Sequence, residues 1–471
     1  MQDVYEFDQQ YRDSISTVDA QGKRVWVYPK KPGGYYHNLR IIVTIILLGF
    51  LFAAPLIRVN ENPLMLINIF ERKFILFGVP FWPQDFHIIA LSMISFVVFI
   101  VLFTVVFGRV WCGWACPQTL FMEMVFRKIE YWIDGGPIKQ KKLKDQPWNG
   151  EKIRKRFIKH SIFIVIALII AHTAMAWLIG IDNVKEIVVQ SPTENLGGFA
   201  GLIGFTALFY FVFSYLREQA CIAICPYGRL QGVFLGSNSI AVMYDWLRGE
   251  PRGKVRKNEP QDTKGDCIDC KMCVHVCPTG IDIRNGTQLE CVNCTACMDA
   301  CDDIMVRMNR PKGLIRYASY NSIKDGMKKL FTTRVAGYIV VLAVLLSAIV
   351  FMVSTRSPIE ATVMRVPGML YQKEDNGNIS NLYNIQFVNK TYGDVKIKMN
   401  IEGIENASIK RVGNEDLLIP AGSSEDGVFF IELPPQSLEG MKTKIRISLM
   451  ADGEEIQSVK TNFLGPATVN H

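Results

Sequence analysis

The chain has 471 residues, 49% of them hydrophobic and 20% charged, with a mean hydropathy of +0.16, twelve cysteines and a formal net charge of +8. That apolar share excludes a disordered or fibrous chain, and the length allows two to four domains at about 100 to 200 residues each. The charge and the cysteines carry information only through their positions along the chain.

Five apolar runs approach or reach the roughly 20 residues that a helix needs to cross a bilayer: Ile41 to Ile57, Ile88 to Phe107, Ser161 to Gly180, Gly197 to Leu216 and Val335 to Val353. Four contain no formal charge, and the third contains only the ionisable His172. The first carries Pro55, which tilt or a thinner bilayer accommodates. About forty polar and aromatic residues precede it and no small-residue cleavage site follows, which argues against a cleaved signal peptide. Between the first two runs, Val59 to Phe86 is apolar but broken by Glu71, Arg72 and Lys73, and it reads as an interfacial or re-entrant segment. Gly135 to Arg156 is polar and lysine-rich, and reads as a linker along the anionic inner surface.

Lysine and arginine set the orientation. Six lie from Met1 to Arg40, twelve from Gly108 to Lys159 and eighteen from Arg217 to Arg334, against three in Arg58 to Phe86 and one in Ile181 to Leu196. The amino terminus and the segments after the second and fourth spans are therefore expected in the cytoplasm, with the carboxyl tail on the far side. The residues after Thr355 carry a net −3 and the rest of the chain +11. The basic residues flank hydrophobic spans and form no separate basic domain with an aromatic platform, so nucleic acid is not expected as a partner.

All twelve cysteines lie between Cys112 and Cys301, on the expected cytoplasmic side, where thiols stay reduced. Eight form two runs, Cys267, Cys270, Cys273 and Cys277 followed by Pro278, then Cys291, Cys294, Cys297 and Cys301. Both have the x2, x2, x3 spacing of bacterial-type 4Fe-4S ferredoxins, in which the fourth cysteine of each run serves the other cluster. On that rule one cluster takes Cys267, Cys270, Cys273 and Cys301, and the other Cys291, Cys294, Cys297 and Cys277. Structural zinc prefers two CxxC pairs with a longer spacer and has no need of three cysteines in a row. The second run lacks the proline that follows Cys277, which alters the chain path and not the ligand set. His275 reads as a solvent-facing spacer or a weak tuner of potential.

The other four cysteines form two CxxxCP pairs, Cys112/Cys116-Pro117 and Cys221/Cys225-Pro226, each just beyond the end of a span. On a continuing helix the thiols at i and i+4 share a face, and the proline limits how far it continues. The order span, outer loop, span, CxxxCP occurs twice, as in a duplicated two-helix unit that brings two dithiols together. Thiolates near lysines and arginines are expected to have lowered pKa and to suit soft ions such as Cu(I). A third metal centre, a disulfide-forming redox pair and buried cysteines in packed helix ends are the alternatives. Met122 and Met124 can present thioethers to copper or pack, and Glu123 and Glu218 can pair with basic neighbours. His172 suits a proton or quinol path as well as it suits packing.

After the fifth span the texture changes to period-two alternation, as in Asn384 to Asn389, Val395 to Asn400 and Lys444 to Leu449, broken by Gly, Pro, Asn and Asp clusters. About 110 residues of such segments predict a seven-stranded immunoglobulin-like sandwich without a disulfide, in a docking or structural role.

The chain resembles the cytochrome c oxidase accessory proteins called FixG, RdxA or CcoG over nearly its whole length. The resemblance rests on Val110-Trp111-Cys112-Gly113-Trp114-Ala115-Cys116-Pro117-Gln118-Thr119, on Glu218-Gln219-Ala220-Cys221-Ile222-Ala223-Ile224-Cys225-Pro226-Tyr227-Gly228-Arg229, on the double ferredoxin run and on Arg310 to Tyr317. It implies a multi-domain bacterial inner-membrane protein: an N-terminal cytoplasmic segment (1-40), a four-span α-helical membrane domain with the two CxxxCP motifs (41-240), a cytoplasmic α+β double 4Fe-4S ferredoxin-like domain (241-333), a fifth transmembrane helix (334-354) and a periplasmic all-β immunoglobulin-like domain (355-471). It further implies two 4Fe-4S clusters and reduction of Cu(II) to Cu(I) for assembly of the cbb-type oxidase, with copper held near Cys112, Cys116, Cys221 and Cys225. The implied partners are membrane lipid, a cytoplasmic electron donor, copper-delivery proteins and oxidase subunits, and a homo-oligomer stays open. Two further readings stay open. NapH-type membrane ferredoxins share four spans, CxxxCP pairs and a double cluster, which suits a quinol-oxidising subunit of a periplasmic reductase; a non-enzymatic assembly scaffold is the other.

Overall fold

The computed structural model describes residues 17–18, 21, 23–59, 62–70, 73–254, 264–327, 329–368, 370–391, 393–413, 417–451 and 454–466. Glu71 and Arg72, two of the three charged residues read into the first outer segment, lie outside them. Among the described residues, Tyr35–Ala53, Pro83–Phe107, Gly150–Ile179, Leu196–Leu216 and Thr333–Ser354 are helices long and apolar enough to cross a membrane. The chain divides into two compact units, the described parts of Met1–Leu56 with Leu91–Leu346, and of Ile57–Ala90 with Ser347–His471.

In the first unit the helix bounds differ from the apolar runs for local reasons. The first helix stops at Ala53, ahead of Pro55, whose ring nitrogen has no hydrogen to continue the ladder. The third begins eleven residues before its apolar run, at Gly150, where the Asn149 side chain accepts from Lys152 N at 2.9 Å. The expected linker is likewise helical over Pro137–Asp145, with proline in the first turn, where no hydrogen bond is lost. Lys152 Nζ donates to the carbonyls of Lys144 at 2.9 Å and Gln146 at 2.6 Å, which ties the two helices together. The fourth span ends in a π-helical turn, Val212–Leu216, and a second such turn covers Phe121–Phe126. Phe121, Phe126, Phe163 and Phe213 pack there in one apolar cluster.

Below that cluster lies a buried ionic network. Arg217, in a left-handed backbone conformation with φ 54°, grips both oxygens of Glu130 at 2.9 and 2.8 Å. Lys159 reaches Asp134 at 2.6 Å, Arg127 reaches Glu123 at 2.5 Å and Arg24 reaches Glu218 at 2.9 Å. The bidentate, charge-assisted Arg217–Glu130 pair holds the strained residue in place. The iron-sulfur region of the same unit is built on a two-stranded antiparallel sheet, Ala241–Tyr244 with Ile315–Ala318, and on the helices Met272–His275 and Ala296–Arg307.

The second unit corrects two expectations. The segment Val59 to Phe86, expected as interfacial or re-entrant, is built of strands among its described residues: Met65–Asn68, Lys73–Leu76 and Val79–Phe81 make an antiparallel sheet, and Arg58–Val59 pairs with Asn62–Pro63. This piece is tied to the sandwich by Asp85, which takes Lys390 Nζ at 2.7 Å and Arg356 Nη2 at 2.5 Å, and by Lys73 Nζ donating to Gly422 O at 3.1 Å. The sandwich has nine strands among the described residues where seven were expected. One sheet runs Ser408–Arg411, Ser424–Leu433, Ile379–Asn389, Ile359–Arg365, with Gln372–Lys373 also on Ile379–Asn389; the other runs Leu418–Ile419, Val395–Ile401, Lys442–Ala451, Glu454–Leu464. The two-residue edge strands are too short to show a period in sequence. Tyr383, Phe387, Ile447 and Phe463 are fully buried between the sheets.

Burial alone would raise the Glu130 carboxyl, but Arg217, Lys159 and Arg127 outweigh it and hold it below the usual carboxylate range. A depressed folded-state pKa gives stability that is present above the unfolded value, about 4.3, and lost as pH falls below it. Thermal unfolding of the purified protein is therefore expected to show a steep acid loss below about pH 4.3. Glu130→Gln should lower the midpoint at pH 7 and flatten that acid limb; an unchanged pH profile would take Glu130 out of the account.

Candidate functional site

The two cysteine runs share a backbone plan. In Cys267-Ile268-Asp269-Cys270-Lys271-Met272-Cys273 the left-handed residues are Asp269 and Lys271; in Cys291-Val292-Asn293-Cys294-Thr295-Ala296-Cys297 they are Asn293 and Thr295. Non-glycine residues in that conformation at matching places turn each loop into a cup. Arg284 braces the first loop, donating to Asp269 at 2.6 Å and Asp282 at 2.6 Å.

Each cup closes on a cavity. One is lined by Cys267, Cys270, Cys273 and Cys301, together with Tyr244 and Leu314. The other is lined by Cys277, Cys291, Cys294 and Cys297, and Cys273 also touches it. All twelve cysteines are free thiols, and among the described residues no group of three or more His, Cys, Asp or Glu side chains converges as a single-ion site. Burial pushes the Cys273 and Cys291 thiols up to about 12 and Cys294 to about 11, and raises Cys297 and Cys301 well above the usual range. Thiolates at neutral pH in these cups need a metal group to displace their protons.

Two side chains that sequence reasoning passed over bear on the same point. Arg40 and Arg109 are 2% and 4% exposed, and neither has a carboxylate partner among the described residues. Arg40 donates from Nε to Gly113 O at 2.6 Å and Arg109 from Nε to Gln231 Oε1 at 2.6 Å, while Arg40 Nη2 and Arg109 Nη1 are buried without an acceptor. Arg40 is an electrostatic neighbour of Cys294, and Arg109 of Cys112 and Cys291. A buried cation calls for a buried negative charge. The donor set therefore fits an anionic, thiolate-held group.

The CxxxCP pairs also share a backbone, though not the expected one. The helix breaks inside each motif: Val110–Trp114 ends before Cys116, and the π-helical turn Ala220–Ile224 ends before Cys225. Cys116 (φ −65°, ψ 122°) and Cys225 (φ −67°, ψ 114°) are both extended, and Pro117 and Pro226 open the following helices. The single-face i, i+4 argument therefore fails, although Cys116, Cys112 and Cys225 are all electrostatic neighbours of Cys221. Their expected low pKa is also corrected for two of them. Burial raises Cys112 despite Arg109, and raises Cys221 to about 12. Cys112 Sγ donates to Gln231 Oε1 at 3.5 Å.

Cys112 lies in the same buried cluster as Cys267, Cys273, Cys294 and Cys297. Gly113 makes that approach possible, since a Cβ there would lie 2.4 Å from Val292 O and 2.7 Å from Asn293 O. Trp114 Nε1 donates to the Tyr317 hydroxyl at 2.9 Å, and Tyr317 donates to Asn293 O at 3.4 Å. Arg109 and Gln231 stand 122 residues apart in sequence, and only a fold brings them together. Of the weaker candidates, Met122 packs among the phenylalanines, Met124 is buried, and Glu123 and Glu218 pair with Arg127 and Arg24. His275 is exposed, and His172 Nδ1 bonds to Leu168 O of its own helix at 2.7 Å.

With five membrane-length helices and two thiol cups, the chain is a membrane-anchored iron-sulfur electron-transfer protein. Models of a 4Fe-4S dicluster domain match residues 216–320, of a 4Fe-4S binding domain residues 89–137, and of the IG-like fold at the C-terminal of FixG residues 349–466. The chain is 32% identical over 467 residues to Protein RdxA of Cereibacter sphaeroides, covering 94% of this chain and 98% of that one. It is 34% identical over 391 residues to Protein RdxB of the same organism (79% and 81%), and 32% over 436 residues to the nitrogen fixation protein FixG of Rhizobium meliloti (83% and 82%). A crystal structure of a FixG-related protein from Vibrio parahaemolyticus aligns with 23% of this chain and 97% of that one, at 19% identity and a TM-score of 0.20. The chain belongs to the family of RdxA, RdxB and FixG.

Gly113→Ala should force the helix and the Val292–Asn293 loop apart, because both clashing atoms are backbone. A clear fall in thermal midpoint is expected, whereas Gly33→Ala, with nothing within 4 Å, should leave it unchanged. Equal midpoints would show that the contact does not hold the site together.

Proposed function

We propose that the protein is a cupric reductase, with Cys267, Cys270, Cys273 and Cys301 holding one 4Fe-4S cluster, Cys277, Cys291, Cys294 and Cys297 holding the other, and Cys112, Cys116, Cys221 and Cys225 receiving copper. The observation that carries the reading is the burial of Cys112 in one core with the cup cysteines, through the side-chain-free Gly113. Bound clusters supply one-electron carriers, whose potentials lie near about −400 mV in some ferredoxin classes. The chain's own part begins with charge: Arg40 and Arg109 offset the negative charge of the thiolate cups, and Gln231 orients Arg109 beside Cys112. Substrate Cu(II) takes one electron at the four-thiol site and becomes Cu(I), the softer ion that thiolates hold better. The copper leaves for delivery proteins and the cbb-type oxidase, as the resemblance implies. The distribution of lysine and arginine supports a cytoplasmic iron-sulfur region, a cytoplasmic donor and a periplasmic sandwich.

A second reading has a specific observation behind it. A model of a 4Fe-4S binding domain matches residues 89–137, whose two cysteines are Cys112 and Cys116, which favours a third metal centre shared with the second CxxxCP pair. Replacing all four by serine separates the two. On the copper reading the anaerobically purified protein keeps eight irons and its cluster absorbance but no longer reduces Cu(II). Loss of about four irons from a starting count near twelve would favour the third centre, and undiminished copper reduction would remove these cysteines from the mechanism.

A cation beside a cluster favours its reduced, more negative form. Arg109→Leu should therefore lower the midpoint potential of one cluster by about 60 mV, equivalent to about 1.4 kcal/mol for one electron. Arg109→Lys should restore most of it. Redox titration followed by electron paramagnetic resonance checks this, and an unmoved potential in the leucine variant would contradict the role given to Arg109.

A further inference from the structure

The two cysteine cups differ in how they meet the surface. Cys270, in the first cup, is exposed, whereas the other eleven cysteines are buried or half-buried. The second cup abuts the CxxxCP motif instead, because the Val292 and Asn293 carbonyls beside Cys291 and Cys294 lie against Gly113, the residue after Cys112. An electron passing from outside the chain to the CxxxCP cysteines thus meets an open edge at the first cup and an inner edge at the second.

Charge around Cys270 is uneven as well. Lys271 follows it directly, and Arg252 and Lys254 are brought to the same loop because Gly253 N donates to Cys267 O at 3.1 Å. All three cations are exposed, and Lys271 and Arg252 are both electrostatic neighbours of Asp269. The nearby carboxylates are only half-exposed, and each is matched by an arginine: Asp269 and Asp282 by Arg284 at 2.6 Å, Asp266 by Arg248, and Glu250 by Arg252 at 3.8 Å. Lys254 and Lys271 have no carboxylate partner among the described residues. The rim therefore presents positive charge to solvent beside an exposed cysteine of the cup. A 4Fe-4S group takes one electron at a time, so a nicotinamide, which gives up a hydride, does not serve it directly. We propose that the cup of Cys267, Cys270, Cys273 and Cys301 is the point of electron entry, and that its rim docks a soluble one-electron carrier protein with an acidic surface over its redox centre. One electron crosses at Cys270: the carrier is oxidised, the group held in this cup is reduced, no bond forms or breaks and no proton moves. The inference rests on the two-cluster reading of the cups and is independent of where the CxxxCP cysteines send the electron.

The test uses the full, anaerobically purified chain in phosphatidylcholine nanodiscs, with an acidic plant-type 2Fe-2S ferredoxin as probe. Iron is counted first: fewer than about eight irons per chain would overturn the two-cluster reading and this proposal with it. With both clusters present, the ferredoxin should bind saturably in titration calorimetry, and raising salt from about 20 mM to about 500 mM should weaken it at least tenfold. Arg252→Glu combined with Lys271→Glu should weaken it as much, whereas Lys139→Glu with Lys141→Glu, on the Pro137–Asp145 helix, should leave it unchanged. Electron exchange between chain and ferredoxin, followed by rapid mixing in whichever direction is downhill, should slow at least tenfold in the Arg252 and Lys271 double variant. A carbodiimide joins lysine amines to carboxylates in contact, so it reads the unaltered chain whether or not a variant folds. Its cross-links to the ferredoxin should fall on Lys254 and Lys271. With both clusters present, absence of saturable binding, binding indifferent to salt, cross-links confined to other lysines, or an unchanged exchange rate in the folded double variant would each overturn this proposal alone.

Discussion

Arg40 and Arg109 are permanently charged, sealed from solvent and unmatched by any carboxylate among the described residues. A protein interior tolerates such cations only beside compensating negative charge. The thiols near them cannot provide it as free side chains, because burial raises their pKa and keeps them protonated. Thiolates bound in an iron-sulfur group do provide it. The constraint ties together parts of the chain far apart in sequence: the first span through Arg40, the CxxxCP motif through Arg109 and Gly113, and the second cysteine run through Cys291 and Cys294. An apolar replacement of either arginine therefore disturbs redox chemistry as well as packing.

The same logic of matched buried charge recurs elsewhere in each unit. In the helical unit Arg217 is held in a strained backbone by the two oxygens of Glu130, four residues before Cys221, so the approach to the second CxxxCP motif is anchored by an ion pair and not by helix continuation. In the other unit Asp85 gathers Arg356 and Lys390, which joins the small sheet of residues 65–81 to the sandwich. Paired, hydrogen-bonded charges of this kind cost little when complete and a great deal when one partner is removed. They make both units specific about which segments they bring together.

Much of this organisation was legible from residues alone, for identifiable reasons. Spans are encoded in local composition, and the cysteine runs in local spacing, so Cys267 to Cys301 and all five helices could be read directly. The CxxxCP geometry is not legible in the spacing alone, because a shared face requires a continuing helix and the proline of each motif starts the next helix instead. For Cys112 and Cys221 the expected low pKa fails, since nearby basic residues are visible in sequence while burial is not. Arg40, Arg109 and Gln231 gave no signal, each being an ordinary polar residue near a span end until the fold sets it against the thiols. The strands between the first two spans gave no signal because they are short and apolar, and the two-residue edge strands of the sandwich carry no period at all.

The central claim is that two four-thiol cups, sharing the wall at Cys273, hold two iron-sulfur clusters side by side. Electron paramagnetic resonance of the fully reduced, intact protein tests it most directly, because two paramagnetic clusters so close must couple magnetically. The account predicts a broadened, spin-coupled 4Fe-4S spectrum that collapses to a single uncoupled signal when Cys301→Ala empties one cup. A single uncoupled signal in the unaltered protein, or a diamagnetic protein containing zinc in place of iron, would contradict it.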